Sequence, residues 1–255
     1  MSRHIRRFGP SVVLLSIALC LCGCASAPPA KGGAAWPKAY TDAINDALDP
    51  EPAKVATDLV PIVRSNPMLV WREFADGPRV LMVSLVGDTS YYQGKIGAPY
   101  DTGTHDTWVT AVPELRAACE APGFDRGDLR MRLRQILGLT PNATVTALVE
   151  FWVAAAQLFR PAADNEITDA TAGLTLPDNT EPWYREWYNK IRSQQYFQSQ
   201  TPPHDAYPWT QLGYTYDWGT PAHHQGMSEF VIREHSTVIV NAITAVDGYC
   251  KTASP

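Results

Sequence analysis

The sequence predicts an α+β fold, a single domain with a mainly antiparallel sheet and several short helices. Three observations carry this. Residues 69–74 and 79–86 are rich in Val, Leu and aromatics and flank Ala75-Asp76-Gly77-Pro78, which reads as a β-hairpin. Strand-like runs stand beside helix-like runs without regular βαβ alternation. The 21 prolines are spread along the chain and bound each element to a short length.

The elements follow in order. Tyr40, Ile44 and Leu48 recur at helical spacing, so a short helix follows Pro37 and stops at Pro50 and Pro52. Residues 54–63 suggest a second helix. The strand at 79–86 is apolar on both faces, Leu81, Val83 and Leu85 against Val80, Met82 and Val86, which places it centrally in the sheet. Residues 87–107 hold five Gly or Pro and three Tyr and read as a long loop. A strand at 108–112 leads to Pro113-Glu114, which suits the first turn of a helix reaching Cys119. Asp128 caps a helix carrying Leu129, Leu133, Ile136 and Leu137, with Gly138 as its stop. Residues 145–159 fit period two as far as Val153 and a helical face after it. Residues 182–197 form an amphipathic helix. Residues 207–218 and 229–246 read as strands, the second folded near Glu234-His235-Ser236.

The N-terminus has a different character. Arg3, Arg6 and Arg7 precede an 11-residue apolar run, Ser11 to Leu21, which ends in Leu21-Cys22-Gly23-Cys24. That is a positive n-region, a short h-region and a small-residue cleavage site. The run is too short for a bilayer core, which needs roughly 20 residues. Arg6-Arg7 is a poor twin-arginine signal, because Gly9 and Pro10 stand where apolar residues are wanted. The pattern resembles a bacterial lipoprotein precursor. The resemblance implies a signal peptide over 1–23, Cys24 as the acylated first residue of the mature chain, and anchoring through acyl chains. Ala25 rather than Asp after that cysteine points to the outer membrane, facing the periplasm. Residues 24–37 are small residues, Pro, Gly and one Lys up to Trp36 and Pro37, a flexible tether to a globular envelope domain over 38–255.

The signal holds three of the 21 Lys and Arg and none of the 26 Asp and Glu. This leaves 18 basic against 26 acidic residues, a mature net charge of −8. Such a chain lacks the basic face that nucleic acid requires and has no electrostatic pull toward anionic lipid. Cys119 and Cys250 are the two cysteines outside the signal and lipobox. An even pair in an oxidising compartment reads as a disulfide.

Two groups of residues are candidates for function. His204, Asp205, Asp217, His223, His224 and Glu229 lie within 26 residues and offer acid–base pairs or metal ligands, although their spacing fits no known motif. Trp183, Tyr184, Trp187, Tyr188, Trp209, Tyr214, Tyr216 and Trp218 belong to a stretch with 11 aromatics in 36 residues. On a helix, Trp183/Trp187 and Tyr184/Tyr188 form two adjoining stripes, more than one buried face normally needs. His105-Asp106 reads as a turn and cap. Gly226-Met227-Ser228-Glu229-Phe230 lacks the second glycine of a nucleophile elbow, and Ser84 and Ser90 have no signature. No cofactor motif is present. The expectation is a lipid-anchored, non-catalytic binding or structural module for envelope protein or glycan. The alternative is an envelope hydrolase using the His/carboxylate group, with or without a metal.

Overall fold

The computed structural model describes residues 37–200 and 206–251. The signal peptide, Cys24, and the candidates His204 and Asp205 lie outside these residues. The described residues all belong to one compact unit.

In chain order the elements are α1 (Lys38–Ala47), β1 (Trp71–Phe74), β2 (Gly77–Val86), β3 (Pro99–Asp101), β4 (Thr107–Ala111), α2 (Val112–Glu120), α3 (Leu129–Ile136), β5 (Ala147–Val153), β6 (Leu158–Phe159), α4 (Pro182–Gln200), β7 (Tyr214–Tyr216), β8 (Gln225–Ser228), β9 (Phe230–Ile232), β10 (Thr237–Ala245) and α5 (Val246–Tyr249). The architecture is α+β, with an eight-stranded sheet in the order β3-β10-β5-β2-β4-β9-β6. The strand β1 pairs beside β4 on β2, and β7-β8 form a separate two-stranded ribbon. Every pairing between strands is antiparallel.

The sequence explains the centre of the sheet. β1 and β2 meet across Ala75-Asp76, in the register Phe74 to Gly77, and Asp76 is held by Arg79 at 2.6 Å. β5 runs the length of β2, from Val80 opposite Val153 to Val86 opposite Ala147. One face of the sheet buries Val80, Met82, Val149, Phe151, Phe230 and Val240; the other buries Leu81, Val83 and Leu148 under α2 and α3. Apolar side chains alternate to opposite faces, so a strand apolar at every position must be covered on both. The α3 cap is as expected, with Asp128 accepting from Met131 N at 3.0 Å. Gly138, at φ 66°, supplies the left-handed turn that ends the helix.

Three expectations are corrected. Residues 54–63 do not form a helix: after one 3-10 turn (Pro52–Lys54) the chain has no regular secondary structure. Pro61 interrupts any helical ladder, and the segment bonds elsewhere, through Leu59 N to Ala170 O and Ile62 N to Ile167 O. The loop at 87–107 contains the edge strand β3. After Val153 the chain forms a 3-10 turn and β6 rather than an α-helix.

Cys119 and Cys250 form a disulfide with a Cα separation of 5.3 Å. Beside it, Arg116 pairs with Glu150 at 2.8 Å and donates to Tyr249 O at 2.9 Å, and Asn241 donates to the other Glu150 oxygen at 2.8 Å. A buried pair needs this extra hydrogen bonding to offset its desolvation. No helix among the described residues is long and apolar enough to cross a membrane.

Candidate functional site

A cleft opens on the face of the sheet that carries α2 and α3. β4 brings Trp108, the chain after α3 brings Leu137 and Leu139, α4 brings Ile191 and Gln195, and the return from α4 brings Tyr207, Pro208 and Trp209. Thr215 and Tyr216 of β7 and Glu229, between β8 and β9, complete it. The cleft encloses about 350 Å³. A smaller cavity of about 90 Å³ adjoins it, sharing Trp108, Leu137, Leu139, Thr215 and Glu229 and reaching Ser84 and Thr110.

Local sequence accounts for this shape. Gly226 lets backbone approach closely, since a Cβ there would stand 2.4 Å from Ile136 O. Thr215 is consumed in that junction, donating to Ile136 O at 2.6 Å and accepting from Met227 N at 2.8 Å. Glu229 N donates to Gly213 O at 2.9 Å and fixes the residue at the cleft.

Glu229 is the chemical centre. The residue as a whole is half-buried, but its Oε2 is sealed from solvent and has no hydrogen-bond partner. Burial pushes its carboxyl up to about 8, so it holds a proton at neutral pH. Glu114 is also half-buried, but its carboxyl is fully engaged. Its Oε1 accepts from Ser228 N and Oγ at 2.9 and 2.8 Å, and its Oε2 from Thr110 Oγ1 at 2.9 Å. Burial raises it to about 7, with Asp58 adding to the rise, against the downward pull of those three bonds.

The structure does not bring the described members of the His/carboxylate group together. Asp217 is buried in a bidentate pair with Arg132, at 2.6 and 2.5 Å. His223 is exposed on a 3-10 turn. His224 stacks on Tyr216 at 4.7 Å and meets Tyr214 Oη at 3.3 Å. Glu229 alone reaches the cleft. Asp106 is a structural acceptor, for Trp187 Nε1 at 2.6 Å and Glu234 N at 3.2 Å. Among the described residues no group of three or more His, Cys, Asp or Glu could hold a metal ion.

The expected aromatic surface is corrected too. Tyr184, Tyr188, Trp209, Tyr214, Tyr216 and Trp218 are buried. Trp183 and Trp187 are half-buried: Arg233 stacks on Trp183 at 4.1 Å, and Phe159 packs on Trp187 at 4.8 Å. Both helix stripes are therefore used, one in the core and one against Phe159 and Arg233. Of the eight residues, Trp209 and Tyr216 reach the cleft. Sequence reasoning missed Trp108 and Leu137, which read as ordinary strand and helix residues, and Leu139, which follows the helix stop at Gly138. It also missed Glu114, taken as a helix-start residue. No family model, curated protein or solved structure matches the chain.

Proposed function

We propose that this is a lipid-anchored protein of the bacterial envelope, acylated at Cys24, whose domain is a non-catalytic binding module with its ligand site at the Glu229 cleft. The carrying observation is that cleft: about 350 Å³, walled by apolar and aromatic side chains, with one carboxyl oxygen sealed and unpartnered at Glu229. Large apolar pockets with few convergent polar groups and a perturbed carboxyl are the usual form of ligand sites. The lining favours a mostly apolar ligand over a glycan. A sugar ring presents more hydroxyls than Gln195, Thr215 and Glu229 can satisfy. Hydrolysis by the His/carboxylate group draws no support, since Asp217 is paired with Arg132 and His224 meets Tyr214, so neither joins Glu229.

Calorimetric titration of the full chain with phenylpropyl compounds of differing head group tests the site. At least one should bind saturably, and Ile191→Trp, which fills the cleft from α4, should abolish that binding with an unchanged circular dichroism spectrum. The reading fails if none binds, or if Ile191→Trp binds as the parent does. Anchoring is tested separately, since Cys24→Ser should lose partition into detergent phase.

A further inference from the structure

We propose that the cleft takes a small organic amine, binding it as the ammonium, whose N–H groups donate to Glu229 while an apolar body packs against Trp108 and Trp209. This rests on the cleft being the ligand site.

The argument begins with charge. Glu229 Oε2 is sealed and unpartnered, and among the described residues no Lys, Arg or His lines the cleft, so none of them can neutralise the carboxylate there. A cation entering the cleft would pair with the carboxyl group that Glu229 brings to the lining, and a buried carboxylate is retained at low cost only when paired. The walls suit the same guest. Trp108, Tyr207, Trp209 and Tyr216 line the cleft, and aromatic faces attract an ammonium through the ring quadrupole. An anionic ligand meets the reverse situation, a carboxyl and no cationic donor, in a chain with 26 acidic against 21 basic residues.

The protons balance simply. Burial keeps the empty site's carboxyl protonated at neutral pH. When the ammonium binds, the Glu229 O–H proton leaves to solvent, and an N–H of the ammonium donates to the carboxylate that remains. No other bond changes. The other titratable groups on the lining are the phenols Tyr207 and Tyr216. On neighbouring elements, Glu114 is tied to Ser228 and Thr110, Asp217 to Arg132, and His224 to Tyr214 and Tyr216. None of these supplies Glu229 with a counter-charge.

The test compares three near-isosteric probes on the full chain by calorimetry: phenylpropylamine, phenylpropanol and phenylpropionate. The amine should bind at least about tenfold tighter than the alcohol, as a charge-assisted bond to a carboxylate does. The anion should bind weakest. Repeating the amine titration in buffers of different ionisation enthalpy should show close to one proton released per amine near pH 6 and little near pH 9. Glu229→Gln keeps the shape of the protonated acid. It should weaken the amine about tenfold or more and abolish proton release, with an unchanged circular dichroism spectrum showing the variant to be folded. If the alcohol or the anion binds best, or if Glu229→Gln leaves the amine's affinity intact, the amine assignment falls while the cleft remains a ligand site. If no probe binds, both readings fall.

Discussion

Glu229 and Glu114 stand on adjoining parts of one region, yet the structure treats them oppositely. Glu114 accepts three hydrogen bonds and pins α2 to β8; Glu229 accepts none at Oε2 and faces a cleft. Both are raised above the ordinary carboxylate value of 4.5, to about 7 and about 8. A raised acid binds its proton more tightly in the folded chain than in the unfolded one. Stability therefore falls as pH rises from near 4.5 and levels off once pH passes 8. The lowered carboxyls of Asp46, Asp76 and Asp88 act in the other direction, but below that window. The midpoint of thermal unfolding should be higher at pH 5 than at pH 8, and Glu229→Gln should flatten the difference; an equal slope in the variant would refute this. Asp217 offers a second test. In its pair Asp217 is buried and Arg132 half-buried, so Asp217→Asn strands a largely covered guanidinium and should cost about 3 kcal/mol in urea unfolding. In the sequence Asp217 and Glu229 look equivalent, two carboxylates near histidines. Only the fold separates the paired one from the unpaired one, because Arg132 lies 85 positions away from Asp217.

At the scale of elements, legibility followed how local each cause was. The β1–β2 hairpin, the Asp128 cap and the helix after Pro113 rest on neighbours in sequence, and all three are present. Residues 54–63 failed because their apolar side chains serve distant clusters. Ala56 and Leu59 pack with Leu212 and Tyr214, while Val60 and Ile62 join the sheet core. The helix α4 was legible as a helix but not in its packing. Its two aromatic stripes suggested a spare face, and the fold finds cover for both. Tyr184 lies in the core with its hydroxyl on Arg160 O at 2.9 Å, and Tyr188 reaches Gln211 at 3.2 Å. Tyr184→Ala and Tyr188→Ala should each cost about 3 kcal/mol or more, as truncations of buried aromatics do. Trp183→Ala removes a half-buried ring and should cost about half as much. Equal losses from the two stripes, measured by chemical denaturation, would contradict this ranking of burial.

For the whole molecule, the question is what holds a sheet assembled from distant segments. Its central run, β10-β5-β2-β4, joins strands from both ends of the domain, so most of its pairings close long loops. The disulfide acts on this topology. It links the end of α2 to the residue after α5, with a separation of 131 positions, and so encloses β5, β10 and everything between them in one loop. In the chain-entropy model, closing a loop of this length removes unfolded-state freedom amounting to roughly 4–5 kcal/mol. Cys119 is buried among Leu115 and Leu133, so a cysteine-to-alanine change there also removes a little packing. The double variant Cys119→Ala/Cys250→Ala should therefore lose about 4 kcal/mol in urea unfolding while keeping its strand and helix content. Reduction of the unmodified chain isolates the cross-link from the packing, because it leaves both sulfurs in place. Reduced protein should fall close to the double variant and well below the oxidised chain. If reduction changes the midpoint little while the alanines change it much, the contribution of the pair lies in core packing, and loop closure is not what stabilises the fold.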